Sequence, residues 1–168
     1  MDAKSKANQI LQELGYDFQA FKIEGLVRHV GETRGREIIT IPWTMPPMLF
    51  GAWISDEEPR EYIFYRNDVS GIHQIHIQLH ELSHFLLGHP TLQISQKLMA
   101  EVAAGQASFP FADLPRLRSP NKDTIETEAE TLASLIQKQV IQHSQLDRLT
   151  YFSAEGTLAD YLKALGKT

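Results

Sequence analysis

Residues 70–90 read SGIHQIHIQLHELSHFLLGHP and predict one long amphipathic helix. Ser70 is suited to cap the start of this helix, and Gly88 followed by Pro90 is typical of a helix C-terminus. Apolar residues recur every three or four positions and form one continuous stripe, at Ile72, Ile75, Leu79, Leu82 and Leu86. We therefore expect a helix over residues 70–87 that buries one face in the core.

The other side of this helix carries a strip of histidines, two of which have the spacing of a metal chelate. His80 and His84 are four residues apart, so their β-carbons lie about 6 Å apart on one face and both rings can reach one zinc ion. Glu81 lies about 100° further round the helix, where it can reach a water that the metal activates and act as a general base. The sequence His80-Glu-x-x-His84 therefore predicts a zinc site with its own base.

A catalytic zinc site uses three protein ligands, so a third donor must come from another segment. An apolar stripe at Ile125, Ala129, Leu132, Ala133, Ile136 and Val140 predicts a helix over residues 122–143. Glu126 and Glu130 lie four residues apart beside that stripe, so one can bind the metal while the other orients a ligand histidine. Glu101 and Glu128 remain alternatives, although Glu128 lies about 200° round the helix from Glu126.

Composition excludes several other classes of site and partner. The chain has 168 residues, a net charge of −5, 42% hydrophobic residues and no cysteine. Without cysteine, disulfides, thiol catalysis and iron–sulfur clusters are excluded, and His, Asp or Glu must hold any metal. The acidic balance argues against direct binding of nucleic acid, and the absence of a long apolar run argues against a membrane span or a leader. We expect a cytoplasmic protein with one domain over residues 1–168.

The rest of the chain predicts an α+β fold that is mostly helical. Helices are expected over residues 2–30, around 91–104 and over 157–165, and an irregular but apolar segment over 105–120. Three short runs rich in β-branched and aromatic residues predict a small, largely antiparallel sheet within residues 37–65, packed on the motif helix: Glu37–Ile41, Leu49–Ile54 and Glu61–Tyr65.

Two motifs together resemble the ImmA/IrrE family of small bacterial metallopeptidases. They are His-Glu-x-x-His-x-Leu-Leu at residues 80–87 and Glu-x-Glu-Ala-x-x-Leu-Ala at residues 126–133, and the resemblance covers roughly residues 34–137. It implies a zincin-like fold with a thermolysin-like active site, in which the zinc ligands are His80, His84 and Glu126, the base is Glu81, and Glu130 supports a ligand. The chain departs from the family in its longer spacing between the two motifs and in Leu132, where phenylalanine is frequent.

The resemblance also implies a function: one zinc ion per chain and cleavage of a regulatory protein. That protein is often a helix-turn-helix repressor that controls stress, phage or mobile-element genes. An alternative from another class is a metal-stabilised binding module that sequesters a regulator or toxin without cutting it. A DNA-binding regulator would need a basic recognition helix, for which the sequence offers no candidate.

Some side chains near the motif have roles that the sequence leaves open. The donor that stabilises the transition state, or contacts the substrate, could be any of Tyr65, His73 and His76. We expect His89, just after Gly88, to bond helix carbonyls rather than a metal. Arg116 and Arg118 are expected to face solvent, where they could steer an acidic partner.

Overall fold

The described part of the chain has an α+β architecture, in which helices pack on a four-stranded mixed sheet. The computed structural model describes residues 1–146. The helix predicted over residues 157–165 lies outside the described residues. The elements are α1 (Ala3–Leu14), α2 (Ile23–Arg34), β1 (Glu37–Trp43), β2 (Gly51–Asp56), β3 (Arg60–Arg66), α3 (Gly71–Leu86), β4 (Leu92–Ile94), α4 (Gln96–Ala103), α5 (Pro115–Arg118) and α6 (Lys122–Leu146).

The sheet differs from the three-stranded, largely antiparallel meander predicted from the sequence. Its strand order is β1-β3-β2-β4, and only the β2–β3 pair is antiparallel, whereas β1 with β3 and β2 with β4 are parallel. The segment over residues 44–50 is too long for a tight hairpin and contains two successive prolines, so β2 lies beyond β3 instead of beside β1. The short link over residues 57–59 does form the one hairpin of the described sheet.

Two stretches predicted as helical are interrupted. Residues 92–94 form β4 because Leu92 and Ile94 alternate and pair with the end of β2; α4 then begins after Ser95, whose hydroxyl accepts a hydrogen bond from the Leu98 N–H at 3.1 Å. Near the N-terminus, Phe18–Ala20 forms a separate 3-10 turn, and α2 starts only at Ile23. The sequence pattern therefore predicted that these stretches contain helices, but it did not predict where the helices are interrupted.

Alternate residues along a strand belong to two different hydrophobic cores. One of them, the helical core, is shared with the helices and includes Ile63 of β3, whereas Tyr62 and Phe64 point to the opposite face of the sheet. The segment predicted as irregular but apolar packs on that opposite face, with Phe109, Phe111 and Leu114. The same segment continues into α5, which lies against the first residue of β2 and against α3.

The motif helix α3 lies between the sheet and α6, and α1 packs on α6. Ser70 caps α3 through a hydrogen bond from the His73 N–H at 3.3 Å. The fully buried Leu79 and Leu82 of α3 share the helical core with Leu132 and Ile136 of α6, so these two helices pack on each other. None of the helices within residues 1–146 combines the length and hydropathy needed to cross a membrane.

Candidate metal centre

Three potential metal ligands converge where α3 meets α6. The ligand atoms of His80, His84 and Glu126 all lie within 4.8 Å of one another. His80 Nε2 is 3.1 Å from His84 Nε2 and 3.0 Å from Glu126 Oε2, and His84 Nε2 is 3.7 Å from Glu126 Oε1. A tetrahedral ion with bonds of about 2.0–2.1 Å separates its ligands by about 3.3 Å. The three residues can therefore hold one metal ion.

The electrostatics of this group also favour a cation. Burial lowers the pKa of His80, but hydrogen bonds to Glu126 and Glu130 outweigh it and raise the pKa to about 9. Burial raises the pKa of Glu126, yet hydrogen bonds with His80 and His84 and the charge of Arg116 hold that pKa well below its usual range. A proton held between His80 Nε2 and Glu126 occupies the place that a metal ion would take, so the metal competes with that proton.

Glu130 lies behind His80, on the side away from the other two ligand atoms. Its Oε2 is 3.1 Å from His80 Nδ1 and 3.4 Å from His76 Nε2. Because an ionised carboxylate can only accept hydrogen bonds, this contact keeps a proton on His80 Nδ1 and leaves Nε2 free for a metal. This is the place in which the sequence predicts a supporting carboxylate. His76 joins the same group from the preceding turn of α3.

His89 and Glu128 lie behind the second ligand histidine, which the sequence analysis did not foresee. The His89 backbone N–H bonds the His84 carbonyl at 3.0 Å, as expected for a residue just after the helix. Its ring has other partners: Nδ1 is 2.8 Å from His84 Nδ1, and Nε2 is 3.0 Å from Glu128 Oε2. Glu128 in turn accepts a hydrogen bond from Lys6 at 2.5 Å. Glu101 pairs with Lys97 at 3.8 Å on α4. Neither alternative third ligand belongs to the metal group that the described residues form.

The expectation that Arg116 faces solvent is wrong, and its position changes the interpretation of Glu81. Arg116 is 5% exposed and Glu81 is 2% exposed. The guanidinium donates through Nη1 to Glu81 Oε2 at 2.7 Å and through Nη2 to Glu81 Oε1 at 3.0 Å. Nη2 also donates to the Gly51 carbonyl at 3.2 Å. The predicted base Glu81 is therefore held by two parallel hydrogen bonds. Arg118, by contrast with Arg116, is exposed as expected and pairs with Asp113.

The Arg116–Glu81 pair fixes the charge of the carboxylate as well as its orientation. Burial raises the pKa of Glu81, but the nearby charge and hydrogen bonds of Arg116 outweigh it and lower the pKa. Arg116 Nε is buried without a hydrogen-bond partner and lies 3.8 Å from Glu126 Oε1. One guanidinium thus stands between the predicted base and the predicted third ligand. The apolar character of residues 105–120 predicted that this segment packs against the fold, but it did not predict that Arg116 would contact Glu81.

An open cleft of about 390 Å³ gives access to the centre. His73 and His76, two of the candidates for contacting a transition state or substrate, line it, and the His73 ring packs against Phe50 with centroids 5.5 Å apart. Tyr65 lies on β3 opposite Gly51 and is not part of the lining. The lining also includes Met48, Leu49, Phe50, His80, Glu81, Arg116, Glu126 and Glu130. The lining thus combines apolar side chains with ionisable ones.

Gly51 is needed where β2 passes the motif helix, and alanine there should destabilise the fold. A β-carbon on Gly51 would lie 2.6 Å from Ile77 Cγ2 and 2.9 Å from Glu81 Cγ. Since Arg116 holds Glu81 in place, relief requires movement of a buried side chain, and such overpacking costs about 1–3 kcal/mol. Chemical denaturation of Gly51→Ala measures this cost. Gly71→Ala is the matched control, because nothing lies within 4 Å of its added methyl group. Equal stability of Gly51→Ala and wild type would contradict the packing.

Comparison with protein-family models, with curated proteins and with solved structures gives no match to this chain. The likeness to a metallopeptidase family therefore rests on the two motifs alone.

Proposed function

We propose that this chain is a zinc-dependent endopeptidase that cleaves a regulatory protein. The observation that carries the proposal is the convergence of His80, His84 and Glu126 beside an open cleft that His80 and Glu126 line, with Glu81 on the motif helix. Two histidines and a glutamate are the ligand set of one class of catalytic zinc sites, which keep a fourth position open. The motif resemblance points to the same chemistry.

The residues divide the reaction between them. His80, His84 and Glu126 would hold the zinc ion, which, when bound, polarises the peptide carbonyl and acidifies the attacking water. Glu81 takes the proton from that water at a carboxylate oxygen and passes it to the leaving nitrogen. His73 and His76 line the cleft and are the remaining candidates for donating a hydrogen bond to the developing oxyanion.

Arg116 sets the state in which Glu81 begins the reaction. The two hydrogen bonds from the guanidinium keep Glu81 ionised and stop its rotation. Each carboxylate oxygen has two lone pairs, so one lone pair on each remains for a water molecule. The arginine therefore weakens the base but fixes its direction, which is the usual role of a support behind a catalytic side chain.

The size of the cleft bears on the substrate. A volume of about 390 Å³ admits a few residues of an extended chain and excludes a folded domain. We infer that specificity comes from docking of the partner outside the cleft, and that the scissile bond lies in an exposed segment. A helix-turn-helix repressor, as the resemblance implies, is the partner class that we propose. The proposed role is control of stress, phage or mobile-element genes.

Glu81→Gln is expected to abolish cleavage while zinc remains bound. Glutamine cannot accept the proton, and it is not among the predicted ligands. The measurement is a mass-spectrometric comparison of new protein N-termini in a bacterial extract treated with zinc-loaded wild type or with Glu81→Gln. Metal content and a denaturation curve of the variant control for loss of the Arg116 pair. New N-termini that appear equally with both proteins would contradict the proposal.

One observation favours the alternative, a metal-stabilised binding module that sequesters a regulator without cutting it. Both oxygens of Glu81 already accept hydrogen bonds from Arg116. If this pair never opens to water, the centre holds metal without catalysis. In that case wild type and Glu81→Gln would bind the same partner with equal affinity and leave it intact.

A further inference from the structure

The turn at the C-terminus of α3 places His89 against the predicted ligand His84. Gly88 adopts a left-handed conformation with φ of 67°. The His89 N–H then bonds the His84 carbonyl at 3.0 Å, and the Gly88 N–H bonds the Phe85 carbonyl at 3.1 Å. This is the Schellman arrangement, which brings the second residue after the helix next to the residue five positions earlier. An apolar pair often fills this contact, but here it is His89 against His84.

The hydrogen bonds that follow can run in only one direction if His84 binds a metal through Nε2. His84 Nδ1 must then carry the proton and donate it to His89 Nδ1, 2.8 Å away. His89 consequently keeps its own proton on Nε2, which donates to Glu128 Oε2 at 3.0 Å. Lys6 donates to Glu128 Oε1 at 2.5 Å. Each ring N–H in this series therefore meets an acceptor.

The series crosses three elements of the fold. His84 lies on α3, Glu128 on α6 and Lys6 on α1, and the His89 and Glu128 side chains are 8% and 10% exposed. The two oxygens of Glu128 face different donors, Oε1 the Lys6 ammonium and Oε2 the His89 ring. The positive charge of Lys6 and the negative charge of Glu128 cancel. His80 has a shorter support, since Glu130 accepts directly from its Nδ1.

We propose that His89, Glu128 and Lys6 are positioning residues that fix the ring of His84 and thereby set the metal affinity of the centre. The proposal rests on the metal site of the proposed function, but not on catalysis. It also makes the N-terminal helix a part of the metal site, although α1 supplies no ligand. Partners that orient ligand histidines are worth about 10–100-fold in metal affinity.

The test is zinc affinity at one fixed pH, measured by competition with a fluorescent chelator. His89→Leu removes the acceptor and should weaken zinc binding by about 10–100-fold. His89→Asn returns an acceptor oxygen near the position of Nδ1 and should recover most of that loss. Lys6→Met should weaken binding by a smaller factor because three hydrogen bonds separate Lys6 from His84. Lys4→Met, on the exposed side of α1, is the matched control and should bind as wild type does.

The outcomes separate this proposal from the proposed function. If wild type binds zinc and His89→Leu binds it equally tightly, the positioning role is overturned while the metal site stands. Equal losses in His89→Leu and His89→Asn would also overturn it, since the acceptor would not matter. If wild type takes up no zinc, the proposed function fails and the positioning role fails with it. Denaturation curves of the metal-free variants show whether each remains folded.

Discussion

Replacing Glu126 by alanine should reduce the zinc content from about one ion per chain to a small residue after dialysis. The three ligand atoms of His80, His84 and Glu126 surround one position, and two histidines alone leave it with half of a tetrahedral shell. Loss of a direct ligand should weaken binding by more than about a hundredfold, because supporting residues alone are worth 10–100-fold. Metal content is measured by mass spectrometry on tag-free protein prepared without added metal.

Glu101→Ala is the matched control for this experiment. Glu101 was an alternative third ligand in the sequence, but it pairs with Lys97 on α4 and does not belong to the metal group. It should keep its full zinc content. Full zinc in Glu126→Ala would show that another residue supplies the third ligand, whereas no metal in wild type after zinc dialysis would reject the metal centre and the peptidase with it.

Replacing Arg116 by methionine should produce the largest loss of stability, about 3–5 kcal/mol of unfolding free energy. The substitution leaves the buried Glu81 carboxylate without its cation and the Gly51 carbonyl without a donor. Methionine has a similar length and no charge, so the loss reports on the ion pair more than on packing. Urea denaturation with zinc absent measures this effect without a contribution from the metal.

Two further variants test the origin of that loss. Arg118→Met, on the same short helix but exposed, should change stability by less than about 0.5 kcal/mol. Adding Glu81→Leu to Arg116→Met should recover much of the stability, since an apolar pair of similar volume can replace a buried ion pair. If Arg116→Met unfolds at the same urea concentration as wild type, the Arg116–Glu81 ion pair does not stabilise the fold, which would contradict this prediction.

Sequence patterns predicted best the features that depend on near neighbours. The His80–His84 spacing, the apolar stripes of the two helices and the capping residues Ser70 and Gly88 all act within one or two turns. Glu126 could be proposed because a zinc site requires a third ligand and because it lies on a strongly periodic helix. The turn at Gly88 is a local signal too. Its glycine predicts the end of the helix, and the same turn pairs His89 with His84.

Contacts between distant segments depend on the tertiary structure. The sequence predicts an α+β chain with a paired-histidine motif on one helix and carboxylates on another, because helical periodicity and ligand spacing are properties of single segments. It did not determine strand order, since a long proline-containing link can carry β2 to either side of β3. Nor did it determine that Arg116 lies on Glu81, 35 residues away, or that Lys6 lies on Glu128, 122 residues away. Such pairs form only when packing of the cores brings their elements together, and burial then gives the charges their effect.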